Sequence, residues 1–200
     1  TAENLQTATD THNSKLRKAE ETKMKDMMTY DPTTKAWTVN FLYNEKLNLL
    51  EENFNVAKKR ALALNKKLIK LPELRDQVNN EINTYITAGV WTEECFDQNL
   101  KKHYLPLNYV TSQSTTTPTR IIIDPSARGK NNISLNCTQR YGFSHVGDLR
   151  GILLKFRAAQ QVSVGDISKF FNSFKLTKED QSLRRMLIPN EGFGVTENPT

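Results

Sequence analysis

The sequence predicts an α+β fold, and three observations carry that prediction. Two successive stretches, residues 54–71 and 72–89, place apolar side chains every three or four positions. Beyond residue 104 the texture changes to β-branched and alternating runs, "TRIIID" and "VSVGD", set between turn-forming clusters. Helices therefore come first, and strands mixed with helices follow. A chain of 200 residues suits one domain, or one and part of another, and 37% apolar residues is enough for a real core.

Taken in order, residues 1–29 are polar, and "SKLRKAEETKMKDMM" within them reads as a peripheral helix or linker. In "YDPTTKAWTVNF" an Asp-Pro-Thr-Thr turn signal leads into the alternation Trp37, Val39, Phe41, the pattern of a hairpin. Phe54, Ala57, Ala61, Leu64, Leu68 and Leu71 share one helical face. Lys58, Lys59, Lys66 and Lys70 lie largely off it and read as a solvated basic side. Pro72 suits the first turn of a second helix, which runs through Leu74, Val78, Ile82 and Tyr85 and stops near Gly89. "TRIIID" then predicts a strand, and "SARGKNN" an exposed loop. "HVGDLRGILLKFRAAQ" predicts an amphipathic helix with Leu149, Leu153 and Phe156 on one face. "QVSVGD" predicts a strand, "TKEDQSLRR" a short helix and "RMLIP" a last strand.

The net charge of +6 is unevenly spread. Basic against acidic residues stand at 7 to 7 over residues 1–50, 7 to 8 over 51–100, 7 to 2 over 101–150 and 7 to 5 over 151–200. A local basic excess points to an anionic partner, nucleic acid first, or to a solvated basic surface. Cys95 and Cys137 are far apart and suggest neither a disulfide framework nor a metal spacing. The histidines, His12, His103 and His145, are scattered, and His103 beside Lys101 and Lys102 reads as a surface residue. No apolar run approaches the ~20 residues of a membrane span, and no signal peptide is visible, so a soluble, intracellular protein without a membrane partner is expected. The chain starts at Thr1 and stops at "TENPT", and both ends read as cut from a longer polypeptide.

Three features could carry chemistry. Asp166 closes the "VSVGD" run; a carboxylate there either ligates a hard cation such as magnesium or caps the next helix. In a strand, Arg120, Ile122 and Asp124 point one way and Ile121 and Ile123 the other. Arg120 can then clamp phosphate oxygens from a cleft, or pair with Asp124 at the surface. Arg128 and Lys130 in "SARGKNN" suit contacts to a phosphate backbone. Phe170 and Phe171 are either core residues or rings beside a bound nucleotide.

In this order the segments "YDPTTKAWTVNF", "ENFNVAKKRALALNKKLIKLPELRDQVNNEINTYITAGVW", "STTTPTRIIIDPSARGKNNISLN", "DLRGILLKFR" and "VSVGDISKFFNSFKLTKEDQSLRRMLI" resemble the reverse transcriptases of LTR retrotransposons, most closely the BEL/Pao type, over about residues 30 to 188. The resemblance implies the N-terminal part of a right-hand polymerase fold. Residues 1–45 would be a connecting segment, 46–104 a helical segment before the fingers, and 105–200 the fingers and first strand of an antiparallel palm sheet. The implied activity is RNA-directed DNA polymerase, a nucleotidyltransferase. The implied cofactor is Mg2+, with Mn2+ as substitute. The implied partners are an RNA or DNA template with primer, deoxynucleotide triphosphates and the remainder of a Pol polyprotein. The setting would be cytoplasmic, in virus-like particles, with access to the nucleus.

Residue by residue, the resemblance makes Asp166 the first catalytic aspartate and a metal ligand, with the Ile167 carbonyl as a second oxygen. Lys169 and Phe170 would offer backbone N–H groups to the triphosphate, Phe171 would sit at the gate against a ribose 2′-hydroxyl, and Arg120 would hold the triphosphate from the fingers. The chain departs from the family pattern in "YVTSQ", which lacks a basic residue, and at Cys137, Phe143 and Gly165, where an acid, proline and alanine are common. It contains no Asp-Asp pair, and Glu179-Asp180 falls in a short helical segment. The family's Tyr-x-Asp-Asp hairpin would come later in the polypeptide, so these residues alone would be inactive. The alternative is a non-catalytic, degenerate or domesticated nucleic-acid-binding module using the basic stretch from Lys101 to Arg157. A helical scaffold would explain residues 46–90 but give "TRIIID" and "VSVGD" no purpose.

Overall fold

The computed structural model describes residues 14–15, 18–92, 99–113, 118–141, 148–167, 170–189 and 195–199, with residue 171 and residues 195–199 described by their backbone only. In chain order the elements are β1 (Met28–Asp31), β2 (Ala36–Val39), a 3-10 turn (Glu45–Leu49), α1 (Phe54–Ile69), α2 (Pro72–Thr87), β3 (Leu107–Thr111), β4 (Thr119–Ile123), the single turn α3 (Leu135–Thr138), α4 (Leu149–Ala158), a second 3-10 turn (Phe170–Ser173), β5 (Phe174–Leu176), α5 (Lys178–Ser182), β6 (Arg185–Pro189) and β7 (Val195–Pro199). Residues 18–26 are also helical. The fold is α+β, and its contacts divide it into two units, residues 1–39 with 141–175 and residues 40–140 with 176–200.

The first unit is built on the hairpin the turn signal predicts. Asp31 accepts hydrogen bonds from Thr34 Oγ1 at 2.7 Å and the Thr33 N–H at 2.8 Å, which close the turn. Those donors hold its carboxyl below the usual carboxylate range. β1 and β2 pair antiparallel with Met28 opposite Val39, and the sheet order is β1-β2-β5. The Tyr30 and Trp37 rings meet across the pair at 5.1 Å. α4 forms where its periodicity predicts, capped by Asp148, whose carboxylate accepts from the Gly151 N–H at 2.9 Å. None of its residues is buried, and Leu149 and Leu154 are exposed.

The second unit holds the main core. Ala57, Ala61, Leu64 and Leu68 of α1 are buried, as their spacing requires, together with Val78 and Ile82 of α2. α2 begins at Pro72 and is followed by Gly89 at φ +68, where the left-handed backbone suits a residue without Cβ. The turn then delivers Trp91 into the core, stacked on Tyr85 at 4.8 Å. β3 and β4 form an antiparallel hairpin, Leu107 opposite Ile123 and Thr111 opposite Thr119. β6 is buried along its whole length, pairs with β7, and meets the 104 segment through a parallel bridge from Tyr104 to Arg185. Full burial of a side chain such as Met186 contributes about 1.5–3 kcal/mol.

Two polar fasteners close this unit. Asn53, just before α1, behaves like a strand neighbour: its amide donates to Tyr104 O at 2.8 Å and accepts from Tyr104 N at 2.7 Å. Asp180 is fully buried in α5; it accepts from the Phe41 N–H at 2.8 Å, the Tyr43 hydroxyl and Arg184 Nη1 at 3.2 Å. The Arg184 guanidinium lies 3.8 Å from the centre of the Phe41 ring.

Two expectations are corrected. The strand expected over "QVSVGD" does not form: residues 162–167 have no regular structure, and Val164 is 85% exposed. Alternation makes a strand only where a ladder partner exists, and among the described residues this run has none. His103 is sealed rather than at the surface, at 0% exposure. Its backbone bonds to Ser182 O and to the Arg185 N–H, so the start of β6 draws it inside despite two neighbouring lysines. The helix read as amphipathic does form, as α4, with none of its residues buried.

Candidate functional site

Of the residues singled out from the sequence, Arg120, Arg128 and Lys130 belong to the second unit, and Asp166, Ile167 and Phe170 to the first. Lys169 lies outside the described residues, and Phe171 is described only as backbone of the second 3-10 turn.

Asp166 is exposed, and its Oδ1 accepts from the neighbouring Ile167 N–H at 3.0 Å. Ile167 is itself exposed. The Phe170 ring packs edge-on against Phe174 at 5.2 Å. Asp166 thus stays open to solvent, but in an irregular segment rather than at a strand end.

Arg120 sits where the alternation puts it. Thr119 is buried, Ile121 and Ile123 pack against the main core, and Arg120 and Ile122 face out. Five paired residues fix β4 against β3, with Arg120 opposite Val110. Asp124 is drawn elsewhere: it pairs with Arg60 at 2.7 Å. The Ser126 hydroxyl, then Arg60, holds the Asp124 carboxyl below the usual range. Arg120 consequently makes no hydrogen bond or ion pair among the described residues.

The "SARGKNN" loop is closed by its own contacts. The Gly129 N–H donates to Ile133 O at 2.9 Å, Asn132 takes φ +65, and Arg128 Nη1 donates to Asn132 Oδ1 at 2.9 Å. Lys130 lines an open depression with Glu51, Glu52 and the first residues of α1. Its carboxylates weaken that depression as an anion site.

One cationic surface was read from the sequence only as a solvated side. α1 carries Lys58, Lys59, Arg60, Lys66 and Lys67 and no acidic residue, and Lys70 caps it. Lys58 lies over the Phe54 ring at 5.7 Å and Lys67 over the Tyr109 ring at 5.0 Å. The signal was present in "AKKRALALNKKLIK" as a run of basic residues without an acid.

Groups able to do acid–base or nucleophilic chemistry are few. His103 donates from Nδ1 to Glu51 O at 3.1 Å and faces the Asn53 amide through Nε2 at 3.4 Å; burial lowers its pKa. Cys137 accepts from the Ser134 hydroxyl at 3.2 Å, which lowers its thiol pKa. Among the described residues no three His, Cys, Asp or Glu side chains gather where a metal ion could bind. A two-metal centre needs several carboxylates, so Asp166 and its described surroundings do not by themselves fit magnesium. What the described surface offers is exposed cationic side chains, on β4 and on α1.

No protein-family model, curated protein or solved structure matches the chain. Among the described residues no helix is long and apolar enough to cross a membrane.

Proposed function

We propose that this chain is the N-terminal part of a retrotransposon reverse transcriptase of the BEL/Pao type, the fingers and the start of the palm of an RNA-directed DNA polymerase. The observation that carries the reading is Arg120: a guanidinium on a core-anchored strand, facing solvent, with no carboxylate beside it among the described residues. A cation fixed in this way suits a triphosphate, because its planar fork is already oriented. The ordered sequence blocks support the same reading. Residues 162–167 would become a strand only against further palm strands, which the reading assigns, with the Tyr-x-Asp-Asp hairpin, to a later stretch of the polypeptide. Asp166 is the carboxylate this chain would contribute.

The test is templated extension of a labelled primer on an RNA template by the Pol protein that contains this chain. Extension is expected with the native residue and should disappear in Asp166→Asn, with oligonucleotide binding kept. Extension that survives Asp166→Asn, or its absence in the unaltered protein, overturns the proposal.

A further inference from the structure

We infer that the outer face of α1 is a sequence-independent nucleic-acid-binding surface, on which Lys59, Lys66 and Lys70 contact successive phosphates of one strand. At 100° per residue these three side chains fall within about 40° of one another, opposite the buried stripe of Ala57, Ala61, Leu64 and Leu68. At 1.5 Å rise per residue they span about 16 Å of helix. None of the three makes a hydrogen bond or ion pair among the described residues.

A solvated helix face usually mixes signs, since opposite charges three or four residues apart support the helix and like charges oppose it. Lys66 and Lys70 are such a like-charged pair. The helix dipole accounts for cations in the last turn, Lys66 and Lys67, but gives no support to Lys58, Lys59 and Arg60 earlier in the helix. The other three basic residues are already engaged: Arg60 with Asp124, Lys67 over Tyr109 and Lys58 over Phe54. The adjacent α2 carries Glu73, Asp76 and Glu81 against Arg75, so it is acidic on balance and does not extend the basic face of α1. A line of unpaired ammonium groups on a rigid helix matches a line of phosphates, and it has no feature that could read bases.

The inference rests on the polymerase reading only in taking nucleic acid as the polyanion. Its test is anisotropy of a labelled single-stranded oligonucleotide of about 20 nucleotides with the full chain, between about 50 and 200 mM salt. Lys59→Gln/Lys66→Gln/Lys70→Gln keeps exposed, helix-compatible side chains. Loss of three phosphate contacts should reduce the salt slope by about 2, so the native chain loses about 20-fold more affinity than the variant over that range. The corresponding Lys→Arg triple should bind like the native chain. Lys25→Gln/Lys46→Gln/Lys175→Gln removes the same charge elsewhere and should leave the slope unchanged. Equal losses in both Gln triples, an unchanged slope in the α1 triple, or no binding by the native chain would sink the inference. The assay needs no polymerisation. Binding that depends on α1 without templated extension removes the polymerase reading alone, and extension with binding indifferent to α1 removes this inference alone.

Discussion

Replacing Asp180 by alanine should cost the second unit about 3–5 kcal/mol, a large part of the roughly 5–15 kcal/mol that holds a domain folded. The carboxylate is 0% exposed and takes two donors from a distant part of the chain, the Phe41 N–H and the Tyr43 hydroxyl, and two from close by, Arg184 and the Thr177 hydroxyl. Removing it leaves the largely buried Arg184 guanidinium without its counter-charge and strands two donors that water cannot easily reach. Burial pushes the Tyr43 hydroxyl pKa far above its ordinary value, so that group remains a donor at any ordinary pH. Asp180→Asn, which keeps an acceptor but no charge, should lose less. The double variant Asp180→Ala/Arg184→Met should lose less than the two single losses together, because the stranded cation goes with its partner. The assay is urea unfolding followed by Trp91, buried in the same unit, in a Trp37→Phe background. With a slope of about 2 kcal/mol per molar urea, the midpoint should fall by about 2 M. A fall under about 0.5 M with the slope unchanged would refute the idea that this cluster fastens the unit.

Two further outcomes follow from the same core. Burial holds the His103 pKa below its ordinary value of 6.5, so the unfolded chain takes up that proton first. His103 therefore costs no stability above about pH 6.5, and stability falls below it by up to about 1.4 kcal/mol per pH unit, until the folded-state pKa is passed; His103→Gln should flatten this part of a stability–pH curve, and an unchanged curve would show that another group titrates. Gly89→Ala should destabilise by about 1–2 kcal/mol through its backbone alone, since a Cβ there meets nothing within 4 Å but φ is +68; equal thermal midpoints for the two proteins would contradict this.

The legible parts of the fold were those decided by neighbours in sequence. Three-and-four spacing marked α1 and α2, Asp31-Pro32 marked the first hairpin, and the alternation around Arg120 placed that side chain outside. What escaped was decided at long range. The residue paired with Asp124 is 64 positions away, at Arg60. The sequence showed Asp180 only as an acid in a short helical segment, because two of its donors come from residues 41 and 43. His103 took the apparent character of Lys101 and Lys102, although its environment is set by β6. Val162 and Val164 alternate without a described ladder to join. The basic face of α1 vanished in a balance over residues 51–100, where Glu51, Glu52 and the acids of α2 cancel it. The roles of Asp166 and Arg120 in catalysis came from resemblance, and the geometry adds only that both are exposed.

The wholly interior strand β6 reaches the core from the far end of the chain, whereas the helices it supports are made early. During synthesis at about 5–20 residues per second, α1 leaves the ribosome on the order of ten seconds before residues 185–189 exist. For that interval the part of the helices' greasy face that β6 will cover stays bare, although α2 and the β3–β4 hairpin are already in place. How long that patch waits is then set by translation speed, a quantity that equilibrium stability does not contain.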